Sequence, residues 1–172
     1  MMKKRKYVCR FFLAWQDRAE EKWLSEMAMN GWMLKKLFLF VCLFEKTEPN
    51  ETVYRLDYKA TSNRDEEEYI RIFQDAGWRH VTRLFNWHYF AADASQVQTT
   101  AIYTDRESEA LKYKGLLRVL YTVFIGVCLS LFLPLLYVGV HDYLYGLYGF
   151  GLIAIALFIA CILKVRSKTK ID

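Results

Sequence analysis

The sequence predicts an α+β domain of duplicated β-α-β-β units, forming an antiparallel sheet with two helices on one face, followed by a two-helix transmembrane hairpin. Two observations carry this: a segment that repeats at a period of 46 residues, and a last third holding two long uncharged stretches. The charges divide the chain in the same way. Residues 1–111 carry 17 Lys or Arg and 17 Asp or Glu, whereas the whole net charge of +5 lies beside the apolar stretches. Lys112, Lys114 and Arg118 precede them, and Lys164, Arg166, Lys168 and Lys170 follow. Basic residues placed so are a membrane-flank signal and not the basic patch of a nucleic-acid-binding domain.

The repeat comes first because it constrains everything else. Glu20–Trp32 realigns without a gap on Glu66–Trp78, with Glu20/Glu66, Glu21/Glu67, Gly31/Gly77, Trp32/Trp78 and Phe44/Phe90 identical. Each copy opens with a strand, Tyr7–Leu13 and then Val53–Lys59, the second alternating in the pattern of a half-buried strand. A helix follows, for which Asp17 and Asn63 stand as caps three residues before Glu20 and Glu66. Trp23, Leu24 and Met27, matched by Tyr69, Ile70 and Phe73, give each helix one apolar face. Gly31 and Gly77 fall where a helix needs a left-handed C-terminal residue. Strand pairs Trp32–Phe38 with Phe40–Lys46, and Trp78–Phe85 with Trp87–Ala92, complete the units. The organisation expected is a domain over 1–103 (repeats at about 7–46 and 53–92), a connecting helix over 104–118 opened by Thr104 and Glu107, a hairpin over 119–163 and a basic tail over 164–172.

Val119–Val140 and Tyr143–Leu163 supply 22 and 21 uncharged residues, each enough for about 30 Å of hydrocarbon. His141 and Asp142 lie between them, read here as a solvated polar turn and not as a relay or metal pair. Basic flanks on both outer ends predict a multi-pass protein of the cell membrane with both termini in the cytoplasm. Pro134 is a candidate kink, and Ala156 with Ala160 has the small-xxx-small spacing that lets helices pack closely. No charged residue lies deep within either span, so an anchor is expected and not an ion path.

Four motifs in the domain carry a resemblance: WLSEMAMNGW at 23–32, YRLDY at 54–58, FQDAGW at 73–78 and WHYF at 87–90, with IYTDRES at 102–108 behind them. Together they resemble the domain of unknown function 2812 family of Gram-positive bacterial membrane proteins. The resemblance covers about residues 7–113. It implies membrane helices after the domain and, because members are often encoded beside PadR-type regulators, a role in transcriptional or cell-envelope response. It implies no catalytic residues.

Catalytic chemistry is not expected. Cys9, Cys42, Cys128 and Cys161 show no metal or disulfide spacing, His80 and His88 lack a third ligand of suitable spacing, and Asp57 and Asp75 make no recognisable acid–base pair. No Gly-rich phosphate loop or metalloprotease motif occurs. No cofactor and no metal is therefore expected, and the chain is read as non-enzymatic. Aromatic richness remains. Trp15, Trp32, Tyr54, Tyr58, Trp78, Trp87 and Tyr89 serve the core or line a groove between the repeats, and Trp15, Tyr58, Trp87 and Tyr89 are the candidate ligand-binding set. The function expected is regulatory or sensory, through a small amphipathic ligand or a partner protein; the alternative is an accessory or scaffold subunit of a transporter or envelope-assembly complex. Expected partners are the lipid bilayer and a protein, with homo-oligomerisation allowed and nucleic acid excluded.

Overall fold

The computed structural model of the chain describes residues 4–61, 63–97, 106–137 and 145–169. It divides into two compact units, residues 1–105 and 106–172.

The first unit is the duplicated domain. Its first copy comprises β1 (Arg5–Cys9), α1 (Asp17–Met29), β2 (Trp32–Phe38) and β3 (Val41–Lys46); its second comprises β4 (Thr52–Tyr58), α2 (Asn63–Asp75), β5 (Arg79–Leu84) and β6 (Trp87–Asp93). Backbone geometry repeats as faithfully as the sequence does. The helix bounds differ by 46 residues, and so do the irregularities. Gly31 and Gly77 have φ of +76° and +86°, and Leu39 and Phe85 have φ of +50° and +53°. The ladder of each hairpin shifts register at one equivalent place, between Leu34 and Lys36 and between His80 and Thr82.

The class is the α+β class that the sequence predicts, but the strands form two antiparallel sheets, β1-β3-β2 and β4-β6-β5. The equivalent strands β2 and β5 lie side by side without a hydrogen-bonded ladder. The register shift that each carries breaks the row of amide and carbonyl groups that an edge needs in order to pair.

Neither do the two helices share a face. Along β6, side chains alternate as a strand requires. Tyr89 and Ala91 join the core around α1, whereas Phe90 and Ala92 join the core under α2. Helix α1 is therefore enclosed. Trp23 packs edge-on to Phe44 of the first sheet at 5.7 Å, while Tyr54 and Leu56 of the second sheet complete the same core. In the second copy Tyr69 meets Phe90 edge-on at 5.9 Å and Phe73 stacks on it at 4.1 Å.

Polar groups fasten α1 between the sheets. The open edge of β4 would leave backbone amides unpaired, a costly state for buried groups. Ser25 Oγ accepts from the Tyr54 amide at 3.2 Å and Glu21 Oε1 accepts from the Leu56 amide at 2.8 Å. Arg55 lies 3.5 Å from the other Glu21 oxygen, balancing the buried charge. The first turn of α1 departs from the sequence reading. The N-cap is Gln16, which makes no side-chain cap, and Asp17 lies inside the helix and buried.

The second unit pairs α3 (Arg106–Tyr137) with α4 (Tyr145–Ser167), both long and apolar enough over Ala110–Leu133 and Tyr148–Ser167 to cross a membrane. Helix α3 runs through Pro134 without ending. The turn around His141–Gly146 and the start at Thr104 fall wholly or largely outside the described residues. Ala156 and Ala160 face outward, and Gly151 makes the close approach instead: a Cβ there would meet Leu131 at 2.7 Å. Phe158, Ile162 and Val165 continue the face that Gly151 starts, with Ile162 and Val165 buried. Lys168 Nζ donates to Tyr113 Oη at 3.1 Å and ties the outer ends of the two helices.

The two helix-ending glycines should differ in sensitivity despite equivalent backbones. A Cβ on Gly31 would meet the Thr47 carbonyl oxygen at 2.7 Å, whereas on Gly77 the nearest atom is Val97 Cγ1 at 3.3 Å. Both substitutions incur left-handed strain of about 1–2 kcal/mol. Gly31→Ala adds a backbone clash, so its loss in denaturant melts should exceed that of Gly77→Ala by about 1 kcal/mol or more.

Candidate functional site

The hairpin turns, the β1–α1 connection and the first turn of α1 surround an open cavity of about 130 Å³ within the first unit. Its floor is buried and mostly apolar: Leu37 of β2, Leu56 of β4 and Tyr89 of β6. Its rim is apolar and open to solvent, with Phe11 60%, Leu39 58%, Phe40 49% and Phe85 72% exposed. Phe11 and Phe40 pack edge to face at 5.1 Å, so two separate segments build one wall. An exposed apolar patch around a concave floor is the surface character of an interaction site.

Both hairpins are closed by two-residue turns, Leu39–Phe40 and Phe85–Asn86. Such turns need φ > 0 at the first central position, which Asn, Asp or Gly normally supplies. Here Leu39 and Phe85 occupy it, and both line the cavity. Bulky apolar residues are thus held in a disfavoured backbone region with their side chains toward solvent, which is a poor arrangement for stability alone.

Arg10, Asp17 and Glu20 line the cavity, together with the Tyr89 phenol. Tyr89 Oη donates to Glu20 Oε1 at 3.0 Å. Burial against the apolar floor pushes the Glu20 carboxyl up from its usual 4.5 to about 7; the Tyr89 bond opposes that rise, and Asp17 and Glu21 add to it. The Tyr89 hydroxyl is itself pushed up, first by burial and then by the Glu20 charge, and stays a donor. The Arg10 guanidinium lies over the rings of Phe12 and Trp23, at 5.1 and 4.9 Å. A carboxyl whose ionisation falls near neutrality, at the bottom of an aromatic cleft, is the combination that marks functional sites.

Of the four residues that the sequence singles out, Trp87 and Tyr89 line this cavity and Trp15 and Tyr58 do not. Tyr58 is buried behind Trp87 in an edge-to-face contact at 5.2 Å, and Asn86 Nδ2 donates to its hydroxyl at 3.2 Å. Trp15 is half-buried, while Tyr54 and Trp78 belong to the core. Sequence reasoning missed Glu20, which it assigned to the helix cap, along with Arg10 and the hairpin tips. A signal for Glu20 was present, since it lies three and four residues before Trp23 and Leu24, on the apolar face of its helix.

The second copy has a different interior. Positions filled by Phe11, Trp23, Leu34, Cys42 and Leu37 in the first copy carry Asp57, Tyr69, His80, His88 and Arg83 one period later. Tyr69 Oη donates to Asp57 Oδ2 at 2.6 Å, and Arg83 pairs with Glu66 at 2.6 Å. The rings of His80 and His88 lie 5.5 Å apart, and His80 Nε2 and His88 Nδ1 are buried without a protein hydrogen-bond partner. Burial lowers both imidazoles from the usual 6.5; the neighbouring His80 lowers His88 further. Among the described residues no group of three or more His, Cys, Asp or Glu is placed to hold a metal ion. Cys42 is buried and its thiol is pushed up to about 12 by that burial, which leaves it poorly suited to nucleophilic attack.

The chain thus combines a small α+β domain, cleft included, with two helices long and apolar enough to cross a membrane. It belongs to the family described as protein of unknown function (DUF2812), which matches residues 16–125, well over half its length. No curated protein and no solved structure matches it.

Two titrations act oppositely on stability. Glu20 binds its proton more tightly folded than unfolded, so its contribution falls as pH rises from about 4.5 to about 7. Glu20→Gln keeps an acceptor for Tyr89 and should gain stability over the parent across that window, measured by urea melts at pH 5 and pH 8. The histidines bind protons more weakly folded than unfolded, so stability is lost as pH falls below about 6.5. His80→Leu, which installs the residue of the first copy, should stabilise by about 1 kcal/mol at pH 7.5 and by more at pH 5.5.

Proposed function

We propose that this chain is a non-enzymatic, membrane-anchored sensory protein. Its α+β domain, on the cytoplasmic side, binds a small amphipathic ligand in the cavity between the Leu39 and Phe85 turns. The observation that carries this reading is the pair of hairpin tips. At equivalent places in both copies a large, solvent-facing apolar residue takes a φ of about +50°, and both side chains line one cleft. Strain of that kind is kept where the exposed side chain serves contact with something else.

The basic residues beside both apolar helices support an anchor with both ends in the cytoplasm, following the positive-inside rule. Ligand occupancy would then be passed on at the membrane surface, in keeping with a role in transcriptional or envelope response. A second reading has one observation in its favour. The exposed rim of Phe11, Leu39, Phe40 and Phe85 could equally rest on a protein, as in an accessory subunit of a membrane complex.

Replacing the tips tests the reading. Leu39→Gly and Phe85→Gly remove left-handed strain, so each should stabilise the full-length protein by about 1 kcal/mol in denaturant melts. Each should also weaken binding of a water-soluble aryl ligand, followed by calorimetry in detergent, by about tenfold or more. Higher stability with unchanged binding would remove the cavity from consideration. Loss of a co-purifying membrane complex in the same variants would favour the accessory reading.

A further inference from the structure

The chemistry of the cavity says more about its occupant than that it is amphipathic. The geometry points to a small aryl-alkyl cation, a quaternary or protonated amine, whose positive centre rests against the Glu20 carboxylate while its ring fills the apolar floor. This inference rests on the cavity being a ligand site.

Size sets the first limit. A cavity of about 130 Å³ is close to the roughly 150 Å³ that accepts one benzene ring, so one ring fits the floor. Charge sets the second. The lining carries Arg10, Asp17 and Glu20, and Glu20 accepts from Tyr89 of the floor. The Arg10 guanidinium is laid over the rings of Phe12 and Trp23, at 5.1 and 4.9 Å. An ionised Glu20 in this place has a neutral donor beside it, Tyr89, while Arg55 meets the charge of Glu21 on the same helix. The thiol of Cys42, on β3, is neutral. A positive centre brought in by the ligand would meet the Glu20 carboxylate, and Phe11, Phe40 and Trp87, whose aromatic rings are of the kind that attracts cations, line the same cavity.

Proton linkage follows. Only the ionised carboxylate attracts the cation, so binding expels the Glu20 proton. With ionisation near pH 7, the ionised fraction climbs from about 3% at pH 5.5 to about 90% at pH 8. Affinity for a permanent cation should therefore climb by about thirtyfold over that range, while affinity for a neutral aryl compound stays flat.

The test uses full-length protein in dodecyl maltoside and three water-soluble probes of one ring each: benzyltrimethylammonium, N,N-dimethylbenzamide and benzenesulfonate. Calorimetry at pH 5.5 and pH 8 should show benzyltrimethylammonium binding most tightly at pH 8, with the stated pH dependence. Glu20→Gln should weaken it by about tenfold or more, leave the neutral amide within about twofold and abolish the pH dependence. Because that variant relieves a buried charge and keeps the Tyr89 bond, loss of folding does not confound it. If the neutral or anionic probe binds as well as the cation and Glu20→Gln changes nothing, the cation inference is overturned and the cavity reading stands. If none of the three probes binds at either pH, both fall together.

Discussion

The bond between the Glu21 carboxylate and the Leu56 amide, with its companion from Ser25 to Tyr54, is the constraint on which the arrangement of the domain depends. It joins the helix of one copy to the open edge of the other copy's sheet. A strand edge is otherwise an unpaired row that invites association with another chain. Here side chains of α1 occupy two of its donors, and the second sheet closes over the helix as a consequence. Enclosed in this way, α1 presents Glu20, the residue before Glu21, to the space between the two hairpin tips, where Tyr89 meets it.

Duplication produced two copies of one backbone and then two different interiors. Helix ends, ladder irregularities and left-handed turns recur at one period, because these are local properties of chain geometry. The helices' surroundings do not recur. Glu21 is buried against β4, whereas its counterpart Glu67 is exposed. With two faces to cover, α1 needs an apolar core of Leu24, Ala28, Leu34 and Phe44. With one face to cover, α2 sits over a layer that includes Asp57, His80 and His88 as well as Phe90. The first copy spends its polar groups on inter-copy closure and on the cleft. The second holds its own in a buried network beneath α2.

The helix pair of the second unit is long and apolar enough to cross a membrane. Apolar residues cover most of both helices, and the contact between them is set by shape, with Gly151 against Leu131. In helices apolar on nearly every side, a small residue that lets backbones approach favours such a pair. The Lys168–Tyr113 bond adds a polar tie at the end where both helices carry basic residues.

Much of this was legible in the chain itself. The 46-residue period, the glycines that end each helix and the two apolar stretches are written in local spacing, so they can be read without knowing what packs on what. Leu39 and Phe85 were hidden, because their turns lack the Asn-Gly type of signal and only the backbone reveals them. Ala156 and Ala160 had the spacing for close helix contact, but which face meets the partner depends on the other helix, and it is Gly151 that does. Trp87 and Tyr89 reach the cleft while Trp15 and Tyr58 do not, a distinction made by which side of a strand or loop faces the gap. By itself, then, the sequence determined the elements, their duplication and the division into an α+β domain and apolar helices, since these follow from periodicity and composition. Tertiary structure alone decided that the strands form two sheets, that α1 is enclosed between them and that Glu20 changes from a helix-cap residue into a carboxyl lining the bottom of a cleft. Those outcomes depend on which open edge finds which donor-satisfying side chain, a long-range pairing that no local pattern encodes.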